Sequence, residues 1–317
     1  MGRLFQYAVG LSDQEATFSR RGFHNGDPVL RSRLESAGRT FISGYNAALS
    51  VSKIAALERR LEHIEEELRG FAFEGAATAL AILDHLTPWN RTRLRSFIAG
   101  PAAIHIYMVH IGAGWAIARL PWLQRSVEKC LSQFDPLLRW LLIDGFGFEQ
   151  GFFQWRKTIS EQKYPAPLTG YARRVFDQGL GRSLWFVDGA DVFRISNTIA
   201  CFPANRHRDL WSGVGLACAY AGGADAAALE ILRTAAGNFV PHMAQGAAFA
   251  AKARQRAGNP AVHTEMACRF LCGLSAEAAA RVTDEALKYL PGDEIKEPAY
   301  ETWRRTIQAQ LTAEKLL

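Results

Sequence analysis

Two carboxylates and one imidazole lie in or beside a short glycine phrase that recurs along this chain. The phrase reads Gly-x-(small or aromatic)-x-(Ala, Ser or Trp), and its six copies contain Gly75, Gly112, Gly151, Gly179, Gly213 and Gly246. The residue before the glycine is polar in five copies, within otherwise apolar segments: Glu74, Gln150, Gln178, Ser212 and Gln245. His110 and Glu149 are their neighbours. Carboxylates and imidazoles move protons in enzymes, so we predict Glu74, His110 and Glu149 as catalytic residues.

Two arrangements of these polar side chains fit the sequence. If the repeats curl, equivalent positions face one inner surface and the three candidates converge there. Alternatively, each side chain lies at a seam between helices and bonds a neighbouring backbone, as buried polar groups generally do. The residues alone leave both arrangements open.

Aromatic and cationic side chains on the same segments could hold a substrate. Eight Trp and 19 Phe could line a long apolar pocket, although core packing is the usual place for such residues. Arginine can bind an acidic group such as a carboxylate or phosphate. The candidate substrate-binding residues are Trp115, Gln178, Arg182, Trp185, Arg206, Trp211 and Gln245.

No metal site or cofactor is evident in the sequence. His105 and His110 are five residues apart, a spacing that does not place them on one helix face. A di-iron carboxylate site needs Glu-x-x-His pairs, which the chain lacks, and iron stays only an open alternative. Cys268 and Cys272 resemble a zinc fragment loosely and are better explained as buried cysteines. A phosphate loop, a Rossmann fingerprint and a Gly-x-Ser-x-Gly elbow do not occur.

The spacing of the phrase predicts the elements that must position these residues. Successive glycines are 37, 39, 28, 34 and 33 residues apart, by subtraction of their numbers. A period of about 34 residues is typical of helix–turn–helix repeats. We therefore predict an all-α fold whose helix pairs form one curled, α-solenoid-like domain over residues 27–317, after an N-terminal segment 1–26. Residues 187–208 interrupt the pattern and fit no clear helix.

Glycine inside a helix costs about 1 kcal/mol relative to alanine, so a recurrent helical glycine needs a compensating contact. Close approach of two helix backbones is the favoured explanation, because a ligand would touch only a few repeats. A ligand against bare backbone is the alternative.

Composition narrows the class of protein. Of the 317 residues 49% are hydrophobic, enough for a large core, and the net charge of +6 is mild. The arginines are scattered, which argues against a nucleic-acid partner. Five sparse cysteines and the lack of an N-terminal apolar signal favour the cytoplasm. The longest apolar stretch, residues 101–118, contains His105 and His110, and a buried helix is a better interpretation than a membrane span.

Four longer phrases resemble the UnbL-like family, a domain of unknown function that accompanies bacterial enediyne polyketide biosynthesis. They are 69–76 (RGFAFEGA), 107–115 (YMVHIGAGW), 176–185 (FDQGLGRSLW) and 209–217 (DLWSGVGLA). The resemblance extends from about residue 20 to about residue 272. It implies a pathway, the maturation of a linear polyene into an enediyne core, and it implies neither a reaction nor a set of catalytic residues.

Two hypotheses follow for the activity. In the first, the chain is an enzyme or enzyme subunit that folds a conjugated polyene in an apolar helical cavity. Glu74, His110 or Glu149 would then move protons, and Arg182 or Arg206 would hold an acidic end. In the second, the chain is a non-catalytic helical adaptor that docks a carrier protein or other pathway proteins.

Overall fold

The computed structural model describes residues 9–87, 89–166, 168–288, 290 and 297–313. Helices account for 76% of the structure and the described residues contain no strand, which confirms the all-α prediction. Short 3-10 turns occur at Asp13–Ala16, Ala103–His105 and Gly237–Phe239, and a π-helical turn at Arg156–Ser160. The α-helices are α1 Phe18–Arg21, α2 Pro28–Ser50, α3 Ile54–Glu62, α4 Arg69–Leu86, α5 Arg93–Ala99, α6 Ile106–Arg119, α7 Pro121–Gln124, α8 Val127–Leu131, α9 Trp140–Phe153, α10 Gly170–Val187, α11 Val192–Ala200, α12 Ala204–Ala221, α13 Ala226–Ala236, α14 Val240–Ala257, α15 Val262–Leu271, α16 Ala276–Leu287 and α17 Ala299–Ala313.

Aspartate caps start two helices that matter for the sequence predictions. The Asp27 carboxylate accepts the first free N–H groups of α2, and Pro28 occupies the first helical position, where its missing N–H costs nothing. Asp191 caps α11 in the same way. Helix α11 therefore lies inside the interval 187–208, for which the sequence pattern had indicated no helix.

The N-terminal segment lies along α2. Residues 1–8 of the predicted segment 1–26 fall outside the described part of the chain. The Phe18 ring is buried, and its backbone N–H donates to Glu35 Oε1 of α2 at 2.9 Å. Asn46 of α2 exchanges two hydrogen bonds with the Leu11 backbone, at 3.1 and 2.8 Å. These contacts place residues 11–18 beside the interior cavity described below.

Seven long helices carry the architecture: α2, α4, α6, α9, α10, α12 and α14. Each of them packs on the next in chain order, and shorter helices occupy most of the connecting segments. Glycines make the close approach possible. A Cβ on Gly75 of α4 would collide with the carbonyl oxygen of Phe41 in α2, and one on Gly112 of α6 with that of Glu74 in α4.

The same contact continues along the row, and it corrects the predicted repeat. Gly145, Gly179, Gly213 and Gly246 pack on the carbonyls of Ile111, Asp144, Gln178 and Ser212 in turn. The copy in α9 is therefore Asp144-Gly145, whereas the predicted Gly151 abuts the side chains of Ser183 and Leu180. The glycines are then 37, 33, 34, 34 and 33 residues apart, by subtraction, which is more regular than the predicted series.

The row of helices turns back on itself. Arg33 of α2 donates from Nε to the carbonyl of Ala221, the last residue of α12, at 2.7 Å. Arg254 of α14 donates to the carbonyl of Glu67, just before α4, at 3.2 Å. The first helices of the row thus contact the last, and the side chains between them enclose an interior.

No single helix among the described residues is long and apolar enough to cross a membrane. One bent pair, Arg93–Ala99 with Ala103–Arg119, satisfies the length and composition criteria at an angle of 93°. Helix α6, the second half of this pair, is largely buried within the row.

Candidate functional site

An apolar cavity lies between α2, α4, α6, α9, α10 and α12. The empty space among its lining residues is about 630 Å³, which includes space open to solvent. Leu11, Glu15 and Ala16 of the N-terminal segment form one side of it. The aromatic lining comes from all six helices: Phe41, Phe71, Trp115, Phe148, Phe152, Phe153, Phe186 and Tyr220.

Glu74 is the carboxylic acid of α4 that faces this cavity. Its side chain is buried, and burial raises the pKa of Glu74 to about 7. The Arg182 guanidinium, 3.9 Å from Glu74 Oε1, opposes the rise, and the nearby Asp144 carboxylate reinforces it. A carboxyl group with this pKa exchanges a proton readily near neutral pH, which is what a general acid or base requires.

Arg182 lies at the cavity wall and is held by carboxylates of this chain. Burial by itself would lower the pKa of Arg182, but Asp144 and Glu74 outweigh that effect and raise it. Arg182 Nη1 donates to Asp144 Oδ1, and Gln178 Nε2 donates to Asp144 Oδ2 at 2.7 Å. The Arg182 guanidinium is thus neutralised by carboxylates of the protein itself, and it helps to hold the Glu74 carboxyl group in position.

A chain of buried polar side chains leads from Arg182 and Asp144 to the other end of the interior. Gln178 Nε2 also lies 3.0 Å from the Tyr300 hydroxyl. Ser212 donates to Gln245 Oε1 at 2.9 Å, and Arg304 Nε donates to the same oxygen at 3.2 Å. Gln178 and Gln245, predicted to bind substrate, therefore belong to an internal hydrogen-bond network and are absent from the cavity lining.

Two buried donors at the cavity form no hydrogen bond of regular geometry with the described residues. The Tyr220 hydroxyl has no acceptor, and the Trp115 indole N–H lies beside the Glu74 carboxyl group, where it opposes the rise in the pKa of Glu74; both side chains are at most 4% exposed. The Trp115 ring stacks on Phe41 at 4.2 Å between centroids, and the Tyr220 ring packs edge-on against Phe71 at 5.2 Å. Burial raises the pKa of Tyr220 to about 12, so its hydroxyl keeps its proton.

Glu149 lies apart from Glu74, at the seam between α6 and α9. Its carboxylate binds Arg119 Nε at 2.7 Å and accepts from Gln150 Nε2 at 2.9 Å. Burial raises the pKa of Glu149, while Arg119 counteracts the rise. Arg119 also covers the ring of Phe153, which lines the cavity. Glu149 is thus an ion-paired residue near the cavity wall.

His110 faces a different space. It lines an open cleft of about 1300 Å³ among α4, α5, α6 and α8, together with Asp84, Cys130 and Asp135. Its Nδ1 donates to the Ile106 carbonyl at 2.8 Å, and burial lowers the pKa of the imidazole. The predicted convergence of Glu74, His110 and Glu149 on one interior does not occur, because consecutive residues of a helix point to different faces.

The remaining candidates have structural partners. Arg206 donates from Nε to Asp177 Oδ2 at 3.0 Å and lies over the Tyr164 ring, away from the cavity. Trp185 is fully buried and donates to the Gly222 carbonyl at 2.9 Å. Trp211 is buried in the core. Of the ten candidates, Glu74, Trp115 and Arg182 line the cavity.

Sequence reasoning missed Asp144 and Tyr220. Asp144 had a detectable signal: Gly145 and Gly147 form the Gly-x-Gly pair that also occurs at Gly112, Gly179 and Gly213. Tyr220 had none, since only the folded row brings the end of α12 against the start of α4.

The part of the chain described by the structure contains no group of three or more His, Cys, Asp or Glu arranged to hold a metal ion. Cys268 and Cys272 are buried, and their Sγ atoms contact the carbonyls of Ala247 and Ala244 at 3.8 and 3.3 Å.

The chain matches the family described as Protein of unknown function (DUF1702) over residues 1–311, and it therefore belongs to that family. No curated protein and no solved structure matches it significantly. The family description carries no activity, and nothing in it connects the chain with UnbL-like proteins or with enediyne biosynthesis.

Proposed function

We propose that this member of the DUF1702 family binds a long conjugated polyene in its interior cavity and that Glu74 moves a proton on the bound molecule. One observation carries the proposal: the buried Glu74 carboxyl group, with a pKa of about 7, faces a space that is lined mainly by apolar and aromatic side chains, with Glu15 on the side of the N-terminal segment. Such a combination is the usual starting hypothesis for an active site.

The lining favours a flat, extended, apolar ligand. Stacked and tilted rings of Phe41, Trp115, Phe148 and Phe152 offer faces on which a planar conjugated chain can lie. We also infer that the long helices form a curled, solenoid-like row, which gives the cavity an elongated shape. The resemblance to UnbL-like proteins would place this activity in enediyne maturation.

The residues then have distinct roles. Glu74 transfers the proton, and Arg182 with Asp144 holds its carboxyl group in place. Trp115 provides a stacking surface. A non-catalytic adaptor would not require an interior cavity with a protonatable group. We therefore favour small-molecule chemistry over docking of a carrier protein.

Binding is tested with a linear conjugated tetraene, whose fluorescence rises in an apolar site. We expect saturable binding to the native chain and loss of binding in Ala217→Phe, which fills the cavity. Ala235→Phe, on the exposed face of α13, is the matched control and keeps binding. Equal binding by all three proteins would refute an interior site. Solvent extraction of purified native protein would in addition reveal a co-purified polyene by its absorbance.

Proton transfer is tested in D₂O with a tetraene methyl ketone that has one CH₂ group between carbonyl and tetraene. We expect the native protein to catalyse deuterium incorporation into the tetraene and Glu74→Gln to bind the ketone without doing so. His110→Gln lies in the separate cleft and retains incorporation. Incorporation by Glu74→Gln at the native rate would remove Glu74 from the mechanism.

A further inference from the structure

We propose that the ligand carries a neutral carbonyl group at one end of its polyene and that the cavity shifts a double bond along the chain through an enolate. The carbonyl oxygen would accept hydrogen bonds from Trp115 and Tyr220. This inference rests on the proposed function and specifies its substrate class and reaction type.

The two buried donors are the first support. Buried N–H and O–H groups nearly always find an acceptor, and a donor left without one is costly. Trp115 Nε1 and the Tyr220 hydroxyl are both buried, form no hydrogen bond of regular geometry and belong to the lining of the same cavity. A ligand oxygen would give the Tyr220 hydroxyl the acceptor it lacks, and it would draw the Trp115 N–H away from the neighbouring Glu74 carboxyl group.

The positions of these donors relative to Glu74 are the second support. The Tyr220 hydroxyl abuts Gly70, about one helical turn before Glu74 on α4, so that a side chain at Gly70 would displace it. Gly112 packs on the Glu74 carbonyl, and Trp115 follows it by one turn of α6. Both donors therefore approach Glu74 from neighbouring helices.

Charge excludes a carboxylate as the preferred end group. Among the described residues Arg182 is the cation that lines the cavity, and it is engaged by Asp144 and Glu74. An ionised ligand would add a third negative charge to a buried cluster that already holds one guanidinium for two carboxyl groups. Buried like charges repel strongly, so a neutral acceptor fits better.

Chemistry excludes a bare hydrocarbon as the substrate. A carboxyl group with a pKa of about 7 is too weak an acid to protonate an isolated alkene. The CH₂ group next to a carbonyl is far more acidic, especially when hydrogen-bond donors stabilise the developing negative charge on oxygen. A carboxylate base combined with neutral donors at the oxygen is a known solution for double-bond isomerisation.

The step balances within the substrate and Glu74. The ionised Glu74 takes a proton from the CH₂ group between carbonyl and polyene, and the C–H electron pair moves to the carbonyl oxygen, giving an enolate. Glu74 then returns the proton to a carbon further along the chain while the electrons move back from oxygen. Because the same carboxyl group moves the proton both ways, the carbon that receives it is the γ carbon, two positions from the carbon that lost it. The product is an isomer in which one double bond is conjugated with the carbonyl and the remaining polyene is one double bond shorter, and neither an oxidant nor a reductant is consumed.

The first test compares three linear tetraenes of equal length that end in a methyl group, a methyl ketone or a carboxylate. We expect the ketone to bind the native protein most tightly. Tyr220→Phe should weaken ketone binding about tenfold, the worth of one hydrogen bond, and leave binding of the methyl-ended chain unchanged. Trp115→Phe also alters the stacking surface, so it should weaken binding of both chains and weaken binding of the ketone more. Tyr171→Phe and Trp140→Phe, outside the cavity, are the matched controls.

The second test follows the loss of tetraene absorbance as one double bond moves into conjugation with the carbonyl and leaves a triene. We expect turnover by the native protein, a fall in kcat for Tyr220→Phe and Trp115→Phe, and no turnover by Glu74→Gln. A melting curve for each variant establishes that it is folded. If the methyl-ended chain binds as tightly as the ketone and the donor variants change nothing, the inference is wrong while the proposed function stands. If none of the three tetraenes binds, the proposed function itself fails.

Discussion

Two buried ionic clusters in this protein have opposite charge balance. The first contains Glu74, Asp144 and Arg182, two carboxyl groups against one guanidinium. The second contains Asp209 and Glu301 paired with Arg174 and Arg304, with distances of 2.7–3.2 Å between the charged atoms. Both clusters lie in the interior, and they differ in their number of cations.

The charge balance determines how Asp209 and Glu74 titrate. Burial would raise the pKa of Asp209, but Arg304 and Arg174 outweigh it, and the pKa falls below its usual value. In the first cluster burial prevails and the pKa of Glu74 rises to about 7. A fully paired cluster holds helices together with its charges fixed, whereas a cluster one cation short keeps a group that can exchange protons.

Removing the central cation of the second cluster should have the largest effect. Arg304→Met leaves the buried Asp209 and Glu301 short of a partner, and we expect a loss of about 3–5 kcal/mol in the free energy of unfolding. Urea denaturation measures it. The neighbouring Arg305→Met removes an exposed pair with Glu297 and should cost less than about 1 kcal/mol. Similar losses for the two variants would contradict a structural role for the second cluster.

The free energy of unfolding, measured over a series of pH values, should isolate the contribution of Glu74 from that of the other titratable groups. Its pKa is raised in the folded state from 4.5 to about 7, so its contribution to stability is fully present below pH 4.5 and is lost as the pH rises through 7. Relative to Glu74→Gln, the native protein should lose about 2–3 kcal/mol of unfolding free energy between pH 5 and pH 9. Parallel curves for the two proteins would show that the pKa of Glu74 is not raised.

The glycine repeat shows how much of the fold could be predicted from the sequence alone. Glycine spacing predicted long helices in close backbone contact, and the structure places Gly75, Gly112, Gly179, Gly213 and Gly246 at those contacts. The α9 copy was misplaced because Gln150-Gly151 keeps the polar-glycine pattern of the other copies. Gly145 is distinguished by a steric requirement, because the carbonyl of a neighbouring helix occupies the place where a Cβ would lie. This requirement can be recognised only in the packed structure.

The candidate site was predictable only in part. Glu74 and Arg182 were found because unusual polar residues in apolar helices point to burial. The predicted grouping with His110 failed because a helix turns by about 100° per residue, so that His110 faces a cleft while Ile111 faces α9. Tyr220 depends on the contact between α12 and α4, which are far apart in the chain, and local pattern carries no information about it.

The smallest expected effect concerns the hydrogen bonds that join the two clusters. Ser212→Ala removes one donor from Gln245 Oε1, which still accepts from Arg304, so we expect a loss of about 1 kcal/mol in unfolding free energy. The pH dependence attributed to Glu74 should stay unchanged, because the Arg182–Asp144 pair is intact. Ser132→Ala, on an exposed residue, is the control for the substitution itself. A shift of the pH dependence of Glu74 in Ser212→Ala would mean that the two clusters are electrostatically coupled. The difference in charge balance between the clusters would then not by itself explain why the pKa of Glu74 is raised.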